Sequence, residues 1–312
     1  MFARMCVVAA VLAAVSGRVP AATKLWNVGQ GDWSTPRNWQ LPGVPAAEDE
    51  VKIPRKSSNC IISANSSVAA QRIYVAAPGT STLTISGTLN VQGERAYLKV
   101  GMSRGNGVCL QTGTLNISKE QHGLLVVGDG GPQQNDTTEG RYHLKEGRIS
   151  ADAVFVGARS ATGRMIQTGG TMEANEFTIG DTGNGCYELL GGTFTAGQLK
   201  IANGELRLGK GANCNVVKQA TISSHGTVTV EIGEGPCPRI TATGDVRILQ
   251  GSTLAVEVSP GRQVPAGQEL TLIETSAGNA VRGSFTNLPA GWACQLRDDN
   301  RKLVLIRQKG GD

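Results

Sequence analysis

Residues 97–202 repeat one pattern of about 22 to 29 residues four times and then begin it again, which is typical of stacked structural repeats. Each copy opens with a short apolar run, and these runs lie at 97–101, 124–128, 153–157, 176–180 and, in part, 198–202. A second strand-like run follows in each of the first four copies, and its glycine is Gly113, Gly147, Gly170 or Gly192. Short β-type runs separated by glycine predict an all-β solenoid whose units stack, rather than a globule with one closed core.

The composition supports a solenoid, because 42 glycines and an aromatic content of 4% are unusual for a helical globule. The formal net charge is +5, and subtracting Arg4 and Arg18 of the predicted leader leaves about +3. The sequence contains no block of Lys and Arg with interleaved aromatic residues, so we predict no nucleic-acid partner.

The first 22 residues are typical of a secretory signal peptide. They contain Arg4, an apolar run at 7–15 and small residues near a plausible cleavage point at 19–22. An uncleaved N-terminal anchor is the alternative. No later segment approaches the roughly 20 apolar residues of a membrane helix, so we predict no transmembrane segment in the mature chain. The expected location is secreted or at the cell surface, in the periplasm or outside the cell.

Six cysteines remain once the predicted leader is removed: Cys60, Cys109, Cys186, Cys214, Cys237 and Cys294. An exported chain permits disulfides, and about fifteen full pairings of six cysteines are possible. No CxxC or CxxxC pair is present, which argues against a structural zinc site. We predict no metal site and no cofactor.

Three of the four tryptophans lie close together near the start of the predicted mature chain: Trp26, Trp33 and Trp39. The open end of a β-solenoid exposes backbone edges and an apolar interior that bulky aromatic side chains can cover. We therefore predict an N-terminal cap at residues 23–50. The alternative is that Trp33 and Trp39 stack on sugar rings, since aromatic faces suit the apolar faces of sugars.

The cap contains the motif W-x-x-G-x-G-x-W-S-x-P-x-N-W at 26–39 and then G-x-P-x-x-x-D-x-V-x-I at 43–53. These motifs, the glycine-punctuated repeats and, more loosely, residues 268–307 resemble exported bacterial β-helix surface proteins with autotransporter-type β-strand repeats, of pectin-lyase-like β-helix architecture. The resemblance implies a right-handed parallel β-helix on or outside the cell, without assigned catalytic residues. The sequence has no translocator barrel or hydrophobic sorting anchor, so the resemblance does not extend to export through a barrel of its own.

Aligning the copies assigns inward columns, because equivalent residues of neighbouring rungs stack about 4.8 Å apart. The first strand gives two columns: Leu98, Leu125, Val154, Phe177, Leu199 and Val100, Val127, Val156, Ile179, Ile201. The second strand is assigned Val108, Tyr142, Met165, Tyr187 and Leu110, Leu144, Gln167, Leu189, and the third Leu115, Ile149, Met172, Phe194. Gln167 interrupts its column, so we expect it to have a buried hydrogen-bond partner.

The predicted rungs occupy residues 51–266, and strands with a tail at 267–312 form a C-terminal cap that includes Trp292. We predict no second domain, because no linker-like composition separates these parts. Residues 130–140 lengthen the second copy, and solenoids tolerate such insertions at their corners. This loop is either a specificity loop or a passive bulge.

Asp129 and Asp181 occupy equivalent positions in the repeat, directly after a glycine. Ala158 lies on the rung between them, so the carboxylates should stand about 9 to 10 Å apart. Two oxygens on one Ca²⁺ can be at most about 5 Å apart, so this pair should not chelate calcium. The separation lies near the upper limit for an inverting glycosidase, but no basic group supports such chemistry. Turn residues that bind local backbone N–H groups are the favoured interpretation.

Two outward columns suggest further sites. Cys109 and His143 should be neighbours on the second strand, which would suit a nucleophile and its base, but Ile166 interrupts the column before Glu188. Val126 and Phe155 should form an apolar contact surface on the first strand, unless the loop at 130–140 covers them.

The sequence thus favours an exported structural, adhesive or glycan-contacting β-helix without catalytic residues. The expected partners are extracellular polysaccharide or cell-surface components. The candidate binding residues are Trp33, Trp39, Val126, Phe155, Asp129 and Asp181. A polysaccharide-degrading lyase or glycoside hydrolase of the same fold is the alternative.

Overall fold

The computed structural model describes residues 21–41, 43–54, 57–119, 121–130 and 138–309. These residues form one short 3₁₀ helix, Pro36–Asn38, and 28 strands numbered in chain order. The strands are β1 (Thr23–Leu25), β2 (Gln30–Asp32), β3 (Glu50–Ile53), β4 (Ser58–Ile62), β5 (Ser67–Ala70), β6 (Arg72–Val75), β7 (Gly79–Ile85), β8 (Thr88–Val91), β9 (Tyr97–Met102), β10 (Gly105–Gln111), β11 (Thr114–Ile117), β12 (Leu124–Asp129), β13 (Glu139–Leu144), β14 (Arg148–Ala158), β15 (Thr162–Gln167), β16 (Thr171–Ile179), β17 (Asn184–Leu189), β18 (Thr193–Ile201), β19 (Gly204–Leu208), β20 (Asn213–Ile222), β21 (Thr227–Ile232), β22 (Arg239–Ala242), β23 (Val246–Ile248), β24 (Thr253–Val258), β25 (Glu269–Thr275), β26 (Val281–Arg282), β27 (Trp292–Arg297) and β28 (Lys302–Arg307).

The strands stack into a parallel β-solenoid of about nine turns, so the predicted fold class is confirmed. Face A contains β1, β3, β6, β9, β12, the C-terminal halves of β14, β16, β18 and β20, and then β23 and β26. Face B is the ten-stranded sheet β2, β4, β7, β10, β13, β15, β17, β19, β21 and β24. Face C contains β5, β8, β11, the N-terminal halves of β14, β16, β18 and β20, and then β22 and β25. The C-terminal end is antiparallel, because β28 pairs with β25 and with β27.

Glycine is required where the chain turns from face A to face B. Gly128 has a φ of +76°, a left-handed conformation that side chains rarely adopt. At Gly140, the start of the next strand, an added Cβ would lie 2.1 Å from the backbone nitrogen of Gly128. The same two-glycine contact recurs on the next rung between Gly157 and Gly163. The repeating glycines of the sequence therefore mark a corner where two backbones touch.

The interior holds the aliphatic columns predicted for the first and third strands. Every member of the two first-strand columns is at most 2% exposed, and each is in register with its neighbour on the next rung. The third-strand residues are likewise buried: Leu115, Ile149, Met172 and Phe194. These predictions are confirmed.

The second-strand columns were predicted correctly except in the first copy. Cys109, and not Val108, is in register with Tyr142, and Gln111, and not Leu110, is in register with Leu144. Cys109 and Gln111 are both fully buried, whereas Leu110 is 36% exposed. The inward assignment of Val108 and Leu110 is therefore wrong.

Gln167 has the buried partners that its position requires. Its Nε2 donates to the carbonyl oxygens of Thr193 at 2.9 Å and Gly170 at 3.2 Å, and its Oε1 accepts from the Tyr187 hydroxyl. Gln111 repeats this arrangement two rungs earlier, with Tyr142 as the donor.

Aromatic side chains are buried at both ends of the stack. Trp39 makes edge-to-face contacts with Trp26 and Trp33 at ring-centroid distances of 5.0 Å, and its indole N–H donates to the Trp33 carbonyl at 2.8 Å. At the other end Trp292 and Phe285 are buried in the core. Within the described ranges, no helix has the length and apolar character needed to cross a bilayer.

Candidate functional site

The outer surface of face A carries one continuous column across eight neighbouring rungs. In register order it contains Lys52, Tyr74, Lys99, Val126, Phe155, Thr178, Lys200 and Thr221. Seven rung steps of about 4.8 Å make this column about 34 Å long. It is aromatic and cationic at its N-terminal end, apolar in the middle and polar at its C-terminal end.

The aromatic end is built around two tyrosines on adjacent rungs. Tyr74 and Tyr97 pack edge-to-face with centroids 5.2 Å apart, and their hydroxyls share a hydrogen bond. Lys52 lies 5.6 Å from the Tyr74 centroid, while Arg72 and Lys99 lie 5.8 Å and 4.8 Å from that of Tyr97. Burial and the hydrogen bond that it shares with Tyr74 raise the pKa of Tyr97, so its hydroxyl stays protonated at neutral pH.

A groove of about 1550 Å³ borders this aromatic end. It runs along the corner between faces C and A, where turns that precede β3, β9 and β12 leave the sheet. Its polar lining consists of Ser118, the amides Gln71, Gln92 and Gln121 and the ionisable residues Glu48, Glu94, Arg95, Tyr97, Lys99 and His122. Amide and charged groups above a flat sheet can bind hydroxyl-bearing ligands.

A ladder of three polar side chains reaches this groove through His122. Asn175 Nδ2 donates to Asp152 Oδ1 at 2.7 Å, and His122 Nδ1 lies 3.1 Å from Asp152 Oδ2. The three residues come from consecutive rungs. Asp152 is largely shielded, whereas the His122 side chain is 94% exposed. A carboxylate that binds one ring nitrogen of a histidine fixes the orientation of the other.

Asp129 is buried and neutralised by two cations. Lys99 Nζ lies 2.8 Å from Asp129 Oδ2, and Arg159 Nε lies 2.6 Å from Oδ1, with the second guanidinium nitrogen on Oδ2. The hydrogen bond from Arg159 to this carboxylate raises the pKa of the guanidinium. Asp129 therefore positions Lys99 on face A and offers no free carboxylate to a ligand.

A second groove of about 400 Å³ lies further along face A. Phe155 forms one side, and Asp181, whose carboxylate is 4.0 Å from Lys200 Nζ, lies in its lining. Its other polar residues are Glu176, Thr178, Gln198, Gln219 and Thr221. The structure thus brings two candidate residues, Phe155 and Asp181, into one site.

The other candidate residues lie elsewhere. Trp33 and Trp39 are 0% and 2% exposed, so a sugar could stack on them only if the cap opened. Val126 is in register with Phe155 as expected, but it is only 5% exposed and lines neither groove. Val126 is therefore buried, as the alternative of a covering loop allows, and only Phe155 of the pair lines a groove. The predicted covering loop lies mostly at 131–137, outside the described residues.

The Cys109 and His143 pair does not exist, because Leu110 occupies the position next to His143. Cys109 points into the core, where burial raises the pKa of its thiol to about 12. All six described cysteines are free, and burial also raises the thiol pKa of Cys186 and Cys237 to about 11 and that of Cys294 to about 12. None is a thiolate nucleophile at neutral pH.

The aromatic pair and the histidine ladder were not predicted. Extending the outward column back by two rungs from Val126 leads to Tyr74, so the repeat alignment contained that signal. His122 lies in a corner turn, and the repeat pattern of the strands does not predict the positions of turn residues. In the part of the chain that the structure describes, no group of three or more His, Cys, Asp or Glu residues could hold a metal ion.

Comparison of the chain with protein-family models and with curated proteins finds no match.

Proposed function

We propose that this chain is an exported, non-catalytic β-solenoid that binds an extended extracellular polysaccharide along face A. The observation that supports the proposal is that face A residues of successive rungs line both grooves, first on β9 and β12 and then on β14 to β20, so the grooves follow one another along the stack. A linear polymer is the ligand class whose shape matches such a track. Export to the cell surface is supported by the signal-like leader and by the resemblance to bacterial β-helix surface proteins.

The lining chemistry supports a carbohydrate over a nucleic acid. Tyr97 in the first groove and Phe155 in the second offer aromatic carbon next to amides and hydroxyls. This combination suits a sugar, which has apolar C–H faces and a rim of hydroxyl donors and acceptors. Acidic residues alternate with the basic ones, so neither groove presents the uniform positive charge that phosphate backbones require.

Binding to face A is tested by affinity electrophoresis of the full chain in gels that contain soluble neutral or uronate polysaccharides. The variants Phe155→Ala and Gln198→Ala should each weaken retardation by about tenfold, the effect of losing one good contact. The matched control is Ile166→Ala, because Ile166 is an outward apolar residue on face B. Retention of no polymer, or an equal loss in Ile166→Ala, contradicts the proposal.

A polysaccharide-degrading enzyme is the second candidate, and the ladder of His122, Asp152 and Asn175 favours it. A histidine that lines a groove and is held by a carboxylate is an arrangement suited to general acid–base catalysis. Release of new reducing or unsaturated sugar ends from a bound polymer, abolished by His122→Gln, would establish this function and overturn the non-catalytic one.

A further inference from the structure

The ten-stranded sheet of face B ends at β24 with its interior side chains uncovered. Val230 and Ile232 on β21 are 0% and 3% exposed. Val256 and Val258 continue the same two inward columns on β24, yet Val256 is only half-buried and Val258 is 39% exposed. The apolar interior of the solenoid therefore reaches solvent along this half of the last rung.

The backbone of β24 is also open at this edge. In a parallel strand, alternate residues direct their N–H and C=O groups to opposite neighbours. Thr253 and Ser259 donate to Gly226 and Ile232 on the β21 side, whereas Leu254 donates outward to the Asn287 carbonyl at 2.9 Å. By the same alternation, Val256 and Val258 direct their groups outward. Among the described residues, the outer pairing of β24 is limited to the bridge with Asn287.

The charged side chains beside this edge indicate which residue type a partner strand would place there. Glu231 and Glu257 are adjacent in one outward column of face B. Each is met by a cation from an earlier rung, with Lys210 at 3.6 Å from Glu231 and Arg207 at 2.8 Å from Glu257. Arg207 contacts both carboxylate oxygens of Glu257, yet the Glu257 side chain remains 47% exposed at the edge, so the next position in this column still favours a lysine or arginine over an acidic residue.

We propose that β24 binds an extended segment of another protein as an eleventh strand of face B. The segment has an apolar–basic–apolar pattern, with its apolar side chains over Val256 and Val258 and its basic side chain beside Glu257. Strand addition to an open sheet edge obtains affinity from backbone hydrogen bonds and specificity from alternate side chains. A second copy of β24 fits less well, because antiparallel pairing of Val256 with Val258 of the other copy would place the two Glu257 side chains opposite each other.

The test uses the full chain and a fluorescent peptide of sequence Gly-Thr-Val-Lys-Val-Thr-Gly. Fluorescence anisotropy should give saturable binding, and replacing the central lysine by glutamate should weaken it by about fivefold or more. Val256→Pro should weaken binding by about tenfold or more, because it removes an outward N–H without touching the ladder to β21. Val256→Thr keeps that N–H and should retain binding, and the melting temperatures of both variants control for folding.

Hydrogen exchange of the protein without peptide tests independently whether the outer edge of β24 is open. The amides of Val256 and Val258 should exchange much faster than those of Ala255 and Glu257 and become protected when the peptide binds. Slow exchange of the two valines in the free monomer would overturn the proposal. So would the absence of saturable peptide binding, or a dimer in light scattering that Val256→Pro dissociates, since the occupant would then be a second copy.

Discussion

Two buried glutamines, Gln111 and Gln167, stand in one otherwise apolar column, and each depends on a tyrosine from the next rung. The amide of Gln167 donates to two carbonyls near the corner between faces B and C, and its oxygen accepts from Tyr187. All polar atoms of the pair are thus satisfied without water. A satisfied buried polar pair contributes little net free energy, but a broken one leaves a costly unpaired group.

A double-mutant cycle on this pair tests the argument. Tyr187→Phe should lower the free energy of unfolding by about 1–3 kcal/mol, because the Gln167 oxygen loses its donor inside the core. Gln167→Leu should restore a large part of that loss when combined with Tyr187→Phe, since the unpaired amide oxygen is then absent and position 167 is apolar like its neighbours Leu144 and Leu189. Urea denaturation of the two single variants and the double variant measures the coupling. Tyr142→Phe is the matched control and should cost a similar amount through Gln111. Additive losses in the cycle would show that the two residues do not interact.

At the scale of the strand and its corner, the glycines decide how closely successive strands approach. Gly163 is the second residue of β15. A Cβ added there would lie 2.1 Å from the Val127 carbonyl oxygen and 2.2 Å from the Gly157 nitrogen. Both atoms belong to backbone, so they cannot move aside as a flexible side chain could. The close approach is therefore a property of the corner and not of one rotamer.

Substitution at this corner should be destabilising. Gly163→Ala is expected to lower the free energy of unfolding by about 3 kcal/mol, the upper range for overpacking a rigid site. Gly29→Ala is the control, because nothing lies within 4 Å of a Cβ added at Gly29. Its free energy of unfolding should change by no more than about 0.5 kcal/mol. Thermal unfolding followed by circular dichroism in the strand region compares the two. Equal melting temperatures for both variants would contradict the packing argument.

The limits of prediction from the sequence also lie at the corners. The face A columns could be predicted because the first strands of the copies end at equivalent glycines. The predicted inward positions of the second strand were one residue out of register in the first copy. The turn after that strand, Thr112 and Gly113, is one residue shorter than the equivalent turn of the second copy, Lys145 to Gly147. Counting forward from Gly107 gives the observed register. The larger groove could not be predicted, since it is shaped by corner turns that follow no period.

At the scale of the molecule, each rung packs mainly on the rungs before and after it. Nothing closes the core around a centre, so the ends need covers, and the three tryptophans of the N-terminal cap provide one. A stack of this kind distributes stability through nearest-neighbour contacts. Damage should therefore remain near the rung where it occurs.

This locality can be tested at the N-terminal cap. Trp39→Ala should cost about 3–5 kcal/mol, because it removes a fully buried ring, both edge-to-face contacts and the hydrogen bond to Trp33. Hydrogen exchange should show the loss of protection concentrated in β3 to β8, while β16 to β19 keep theirs. Phe177→Ala in the middle of the stack is the matched control and should deprotect the central strands instead. Its ring packs 5.0 Å from Phe194 and 4.8 Å from Tyr187, within one aromatic cluster. If both variants lowered protection uniformly along the chain, the solenoid would unfold as a single cooperative unit, and the nearest-neighbour description would fail.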